Sequence, residues 1–125
     1  MSENHQKHRQ LVICSSLTFI FAIIIVMLSL IPLNQSGAFS GHGIDKIFHL
    51  IAFGCLVFPL SLTQPKWTIT IIFGVVVFGG SIEMIQKFFG RQASWADLLA
   101  NTIGSIIGAL AALKLENRVK KWWPK

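Results

Sequence analysis

Residues 81–108 read SIEMIQKFFGRQASWADLLANTIGSIIG, and the order of polarity along this stretch decides the fold. An apolar run gives way to Glu83, Gln86, Lys87, Arg91, Asp97 and Asn101, and then turns apolar again. Flanking it are residues 67–82 and 98–113, which contain no Lys, Arg, Asp or Glu. Such segments are too apolar for a small soluble protein and read as membrane spans. An unpaired charge within reach of a bilayer is expensive, so the polar residues between the spans are candidates for function.

Outward from that stretch the chain keeps the same character. Of 125 residues 53% are hydrophobic and 13% charged, well away from an ordinary globular composition. No Lys, Arg, Asp or Glu occurs between Arg9 and Asp45, and residues 11–33 alone suffice to cross a bilayer. The chain therefore reads as an integral membrane protein. Its net charge of +6 does not point to nucleic acid, because the basic residues flank apolar helices instead of forming a stripe.

The pattern predicts an all-α protein, a bundle of four transmembrane helices at about 11–31, 44–62, 67–89 and 95–113. Residues 1–10 read as a solvated cytoplasmic tail, in which His5 and His8 are not expected to hold a metal. Residues 114–125 read as a basic juxtamembrane tail suited to an anionic leaflet. Pro32 and the turn-forming Asn34-Gln35-Ser36-Gly37 end the first helix. Ser36-Gly37-Ala38 resembles a signal cleavage site, but the apolar segment before it is too long for a signal core. The charge-free cores of the other three helices are shorter. Sixteen residues span only about 24 Å as helix, so these helices must carry polar residues into the membrane.

Charge sets the expected orientation. With the amino terminus inside, Lys7, Arg9, Lys66, Lys114, Arg118, Lys120, Lys121 and Lys125 fall on the cytoplasmic side. Lys46, Lys87 and Arg91 fall outside, a bias of 8 to 3 that predicts both termini in the cytoplasm. All four tryptophans then sit at interfaces, Trp67, Trp122 and Trp123 inside and Trp95 outside. Asp45, Lys46, His49, Glu83, Gln86, Lys87, Arg91, Asp97 and Asn101 gather at the extracytoplasmic end.

Each candidate has a structural reading beside the functional one. Asp45 and His49 are four apart, so the carboxylate can orient the imidazole as an acid/base pair; Asp45 can equally cap its helix. Glu83 and Lys87 have the spacing of a helical ion pair, while Glu83 lies deeper and beside Gln86. Arg91 can grip a carboxylate or phosphate in bidentate fashion, or merely neutralise Glu83 or Asp97. Ser94 and Asp97 match a capping box. Asp97, Asn101, Gly104 and Gly108 share one helical face, and Gly104-Ser-Ile-Ile-Gly108 with Ala100 and Ala112 forms a small-residue packing seam.

Asp45, His49, Glu83 and Asp97 are chemically competent metal ligands, but no motif such as HExxH spaces them, so neither metal nor cofactor is expected. GxSxG, Walker and dinucleotide motifs are also lacking. Cys14 and Cys55 lie in apolar runs and read as packing residues.

Asp45-Lys46-x-x-His49-x-x-x-Phe53, then Glu83-x-x-Gln86, then Gly90-Arg91-x-x-Ser94-x-x-Asp97-x-x-x-Asn101-x-x-Gly104-x-x-x-Gly108, resembles the VanZ-like family. The match runs from the second helix onward, with Phe89 where a proline is expected before Gly-Arg. That family is named for a membrane protein associated with teicoplanin resistance. The resemblance implies a role in the cell envelope and supplies no reaction.

Together these readings give a multi-pass cell-membrane protein with an outward-facing polar pocket. Its expected partners are membrane lipids, extending to a lipid-linked cell-wall precursor or a lipoglycopeptide. Asp45 and His49 are the candidate catalytic pair. Lys46, Glu83, Gln86, Arg91, Asp97 and Asn101 are the candidate binding residues, with Gly104 and Gly108 packing the helices. The alternative is a non-catalytic membrane factor whose polar cluster only locks the helices together.

Overall fold

The computed structural model describes residues 2–30, 42–88 and 95–122, with side chains at 2–30, 46–88 and 95–118. Four helices account for these residues: α1 Ser2–Leu30, α2 His42–Thr63, α3 Thr68–Phe88 and α4 Trp95–Trp122. All four are long and apolar enough to cross a membrane, and no strand occurs among the described residues. A bilayer offers backbone groups no water, so each spanning segment satisfies its own amides as a helix.

Two ends differ from the expected boundaries. α1 starts at Ser2, so the amino-terminal polar stretch is the exposed first part of the helix. Glu, Gln and Lys are good helix formers there, and Lys7 Nζ lies 3.0 Å from Glu3 one turn back. α4 likewise continues past Leu113 to Trp122. Between α2 and α3 a short 3-10 turn, Pro65–Trp67, reverses the chain. Thr68 Oγ1 donates to the Pro65 carbonyl across 2.8 Å and tightens that turn.

Contacts between helices fix their directions. His49 of α2 meets Asn101 of α4, Leu50 lies against Gly104, and Gly54 lies against Gly108. Residue numbers rise together along this pair, so α2 and α4 run parallel. Gln86, near the end of α3, reaches Ser29, near the end of α1, which makes those two parallel as well. The bundle therefore alternates up and down, with the ends of α1 and α3 beside the starts of α2 and α4.

α2 and α4 form the most extensive contact in the bundle. The buried face of α4 carries Ala100, Asn101, Gly104, Ser105, Gly108, Ala109 and Ala112, all small but Asn101. A Cβ built on Gly104 would run into the Leu50 carbonyl, and one on Gly108 would lie 2.7 Å from Gly54 Cα. Backbone meets backbone here, the arrangement small residues permit between membrane helices.

Phe53, Leu56 and Val57 of α2 form the centre of the apolar core, joined by Ile25, Val75, Ile82 and Ala109. Most other large apolar side chains point outward, Ile69 and Phe73 among them at 84% and 70% exposure. In water such a surface would aggregate; in a bilayer it faces lipid tails. α1 is the least embedded helix, burying only Ile25 and Ser29. Cys14 is half-buried on α1 and Cys55 exposed on α2, both free thiols. Trp67 and Trp95, both exposed, mark opposite ends of the spans as interfacial tryptophans do.

Candidate functional site

At the end of the bundle where α2 and α4 begin and α3 finishes, polar side chains turn inward from three helices. Glu83 and Gln86 lie three apart on α3, on the face that also buries Val75, Gly79 and Ile82. Asp97 and Asn101 lie four apart on α4, continuous with its small-residue face. His49 stands on α2, half-buried, one residue before the Leu50 carbonyl that packs on Gly104. The close approach of α2 and α4 is what brings His49 and Asn101 together.

Among these groups His49, Glu83 and Asp97 converge. One ligating atom of each lies within 4.8 Å of the other two. Both carboxylates are buried, Glu83 at 7% and Asp97 at 8% exposure. Asp97 also sits in the first turn of α4, where the helix dipole favours a negative charge.

Asn101 is almost wholly enclosed, and its Oδ1 lies 2.9 Å from His49 Nδ1. An amide oxygen only accepts, so Nδ1 carries the proton of this bond. Phe53 supports the ring from below, stacked at 6.4 Å between centroids and 25° between planes. Phe53 in turn leans on Phe78 of α3 at 6.3 Å. Ser105 Oγ donates to the Asn101 carbonyl across 2.7 Å.

The remaining sequence candidates divide. Gln86 is buried, and its Nε2 donates to the Ser29 carbonyl across 3.1 Å, tying α3 to α1. Lys46 and Lys87 are exposed, so Glu83 is buried while the lysine one turn along from it is not. The Asp45 side chain, Arg91 and Ser94 lie outside the described residues.

One position that the sequence reading passed over belongs to the site. A Cβ on Gly79 would come within 2.9 Å of the Phe53 ring and 3.0 Å of Asn101 Nδ2. The bare backbone of Gly79 is what admits both groups. Its signal in the sequence is its spacing, one turn before Glu83 on the same face.

This is a multi-pass membrane protein, a four-helix bundle with a mixed imidazole, carboxylate and amide cluster buried at one end. The chain belongs to the VanZ/LLP1 family, whose model matches residues 2–116. No curated protein and no solved structure matches it significantly.

Proposed function

We infer that the polar end of the bundle is an outward-facing pocket that engages an anionic envelope component. The class is an envelope lipid, a lipid-linked wall precursor or a lipoglycopeptide, which ties the protein to envelope maintenance or teicoplanin-type resistance. The observation that carries this reading is the buried meeting of His49, Glu83 and Asp97, with Asn101 fixing the imidazole. Buried ionisable groups in a membrane protein mark ligand or proton sites by default, because their desolvation is costly. His49 would exchange protons with the bound headgroup in concert with Asp45. Arg91 and Lys46 supply positive charge, and Glu83, Gln86, Asp97 and Asn101 orient the ligand.

The test is direct. Purified protein incubated with extracted envelope lipids and analysed by mass spectrometry should retain an anionic species; a new product in addition would make it an enzyme. If the protein retains no anionic lipid beyond what its detergent-treated surface carries, the pocket reading fails. A structural lock is then the better account, and the bonds from His49 to Asn101 and from Gln86 to Ser29, each joining two helices, favour it.

The side on which the site opens rests on the lysine and arginine count. In a variant lacking Cys14 and Cys55, single cysteines at Ser36 and Gln92 should react with an impermeant thiol reagent from outside. One at Ser2 should react only after permeabilisation. The reverse pattern would turn the site to the cytoplasm and exclude wall precursors on the outer face.

A further inference from the structure

We propose that His49, Glu83 and Asp97 form a divalent-cation site, with Asn101 as its positioning residue. The donors come from three helices: an imidazole nitrogen from α2 and carboxylate oxygens from α3 and α4, all within 4.8 Å of one another. Three donors about 2.0–2.2 Å from one ion lie about 3.3–3.8 Å from one another in a tetrahedral or trigonal array. The three groups, within 4.8 Å of one another, reach that spacing by side-chain rotations that move each donor by up to about an ångström. No contiguous motif announces such a site, because each helix supplies a single ligand. The sequence alone therefore gave the opposite expectation.

Charge favours the same assignment. Glu83 and Asp97 are both buried, and two carboxylates this close repel strongly where the dielectric is low. A divalent cation would offset the charge of both carboxylates, and the imidazole completes the donor set. Metal-bound histidines commonly donate their second ring nitrogen to a fixed acceptor, which sets the tautomer and aims the lone pair. Asn101 does this at Nδ1, and at 1% exposure it is itself held rigidly.

One imidazole with two carboxylates suits Mn(II) or Zn(II). Ca(II) prefers a cage of six or more oxygens, and Mg(II) oxygens in a strict octahedron. A cation here would also present positive charge to a phosphate or carboxylate headgroup. That consequence rests on the lipid-binding reading; the cation site does not.

The full chain, purified in detergent and stripped with a chelator, is titrated with Mn(II) while the spectrum of aqueous Mn(II) is followed by electron paramagnetic resonance. The wild type should take up an equimolar amount, and the ion should raise its thermal midpoint. His49→Ala and Glu83→Gln should bind at least tenfold more weakly. Asn101→Ala, which keeps all three ligands, should lose about 10–100-fold in affinity. Glu83→Gln is nearly isosteric and removes one of two crowded charges, so it keeps the experiment readable if His49→Ala or Asn101→Ala fails to fold. Lys87→Gln, exposed on α3, should bind as the wild type does.

No uptake by the wild type, or equal uptake by Glu83→Gln, overturns the proposal. Lipid retention is measured in parallel on loaded and stripped protein. Cation uptake without retained lipid sinks the lipid reading and leaves the cation site standing. Retained lipid with no cation uptake does the reverse.

Discussion

Gly108→Leu is expected to cost the bundle most of its stability in detergent. The clash falls on backbone: a Cβ at this position overlaps the Gly54 carbonyl oxygen and lies 2.7 Å from Gly54 Cα. A side chain in the way can rotate aside, but two helices can only move apart. Separation of α2 from α4 would also pull His49 away from Asn101 and uncover Phe53. Overpacking of ordinary cores costs about 1–3 kcal/mol, and forcing a backbone contact open should exceed that range. Gly108→Ala should already lower the thermal midpoint, and Gly104→Ala should do likewise through the Leu50 carbonyl. Gly74 and Gly80 are the controls, since a Cβ on either meets nothing within 4 Å. Leucine there should leave the midpoint near the wild-type value. If Gly108→Leu and Gly80→Leu melt alike, α4 does not pack on α2 as described.

How the fold could be read from the sequence, and the pairing of side chains only in part, follows from the same contacts. Four long apolar runs, one able to cross a bilayer by itself and three needing polar extensions, leave a chain little choice but to form spanning helices, so the class was legible. The ends were less so. Residues 2–10 carry a polar pattern typical of a tail, yet the helix runs through them, because good helix formers extend a helix already nucleated by its apolar part. Spacing placed Asp97, Asn101, Gly104 and Gly108 on one face, since a helical period relates them along a single element. Which residues meet between helices is a matter of register. Nothing local says that His49 faces Asn101, or that Gly79 makes room for both Phe53 and the Asn101 amide. For the same reason the imidazole and two carboxylates, competent as ligands but scattered over 49 positions from His49 to Asp97 with no ligand spacing, come within 4.8 Å only once three helices are assembled.

His49→Gln and Arg91→Gln are expected to leave expression and detergent stability near normal while abolishing retention of the anionic ligand or the resistance phenotype. A glutamine at position 49 still presents an amide to Asn101, so the link between α2 and α4 persists without an imidazole. Arg91 lies in sequence between α3 and α4, outside the charge-free spans. Asp97→Ala should behave differently and lose stability first. Asp97 is buried in the first turn of α4, and its loss removes the carboxylate that complements the amino-terminal end of that helix. Losing such a first-turn cap costs about 0.5–2 kcal/mol. A ligand site and a helix lock therefore predict different patterns over the same three variants. In a site, some members serve the ligand and are dispensable for folding, so phenotype is lost where stability is kept. In a lock, every member serves the fold, so phenotype and thermal midpoint decline in proportion. Measuring both on His49→Gln, Arg91→Gln and Asp97→Ala decides between them, and a proportional decline across all three would remove the pocket from the description of this protein.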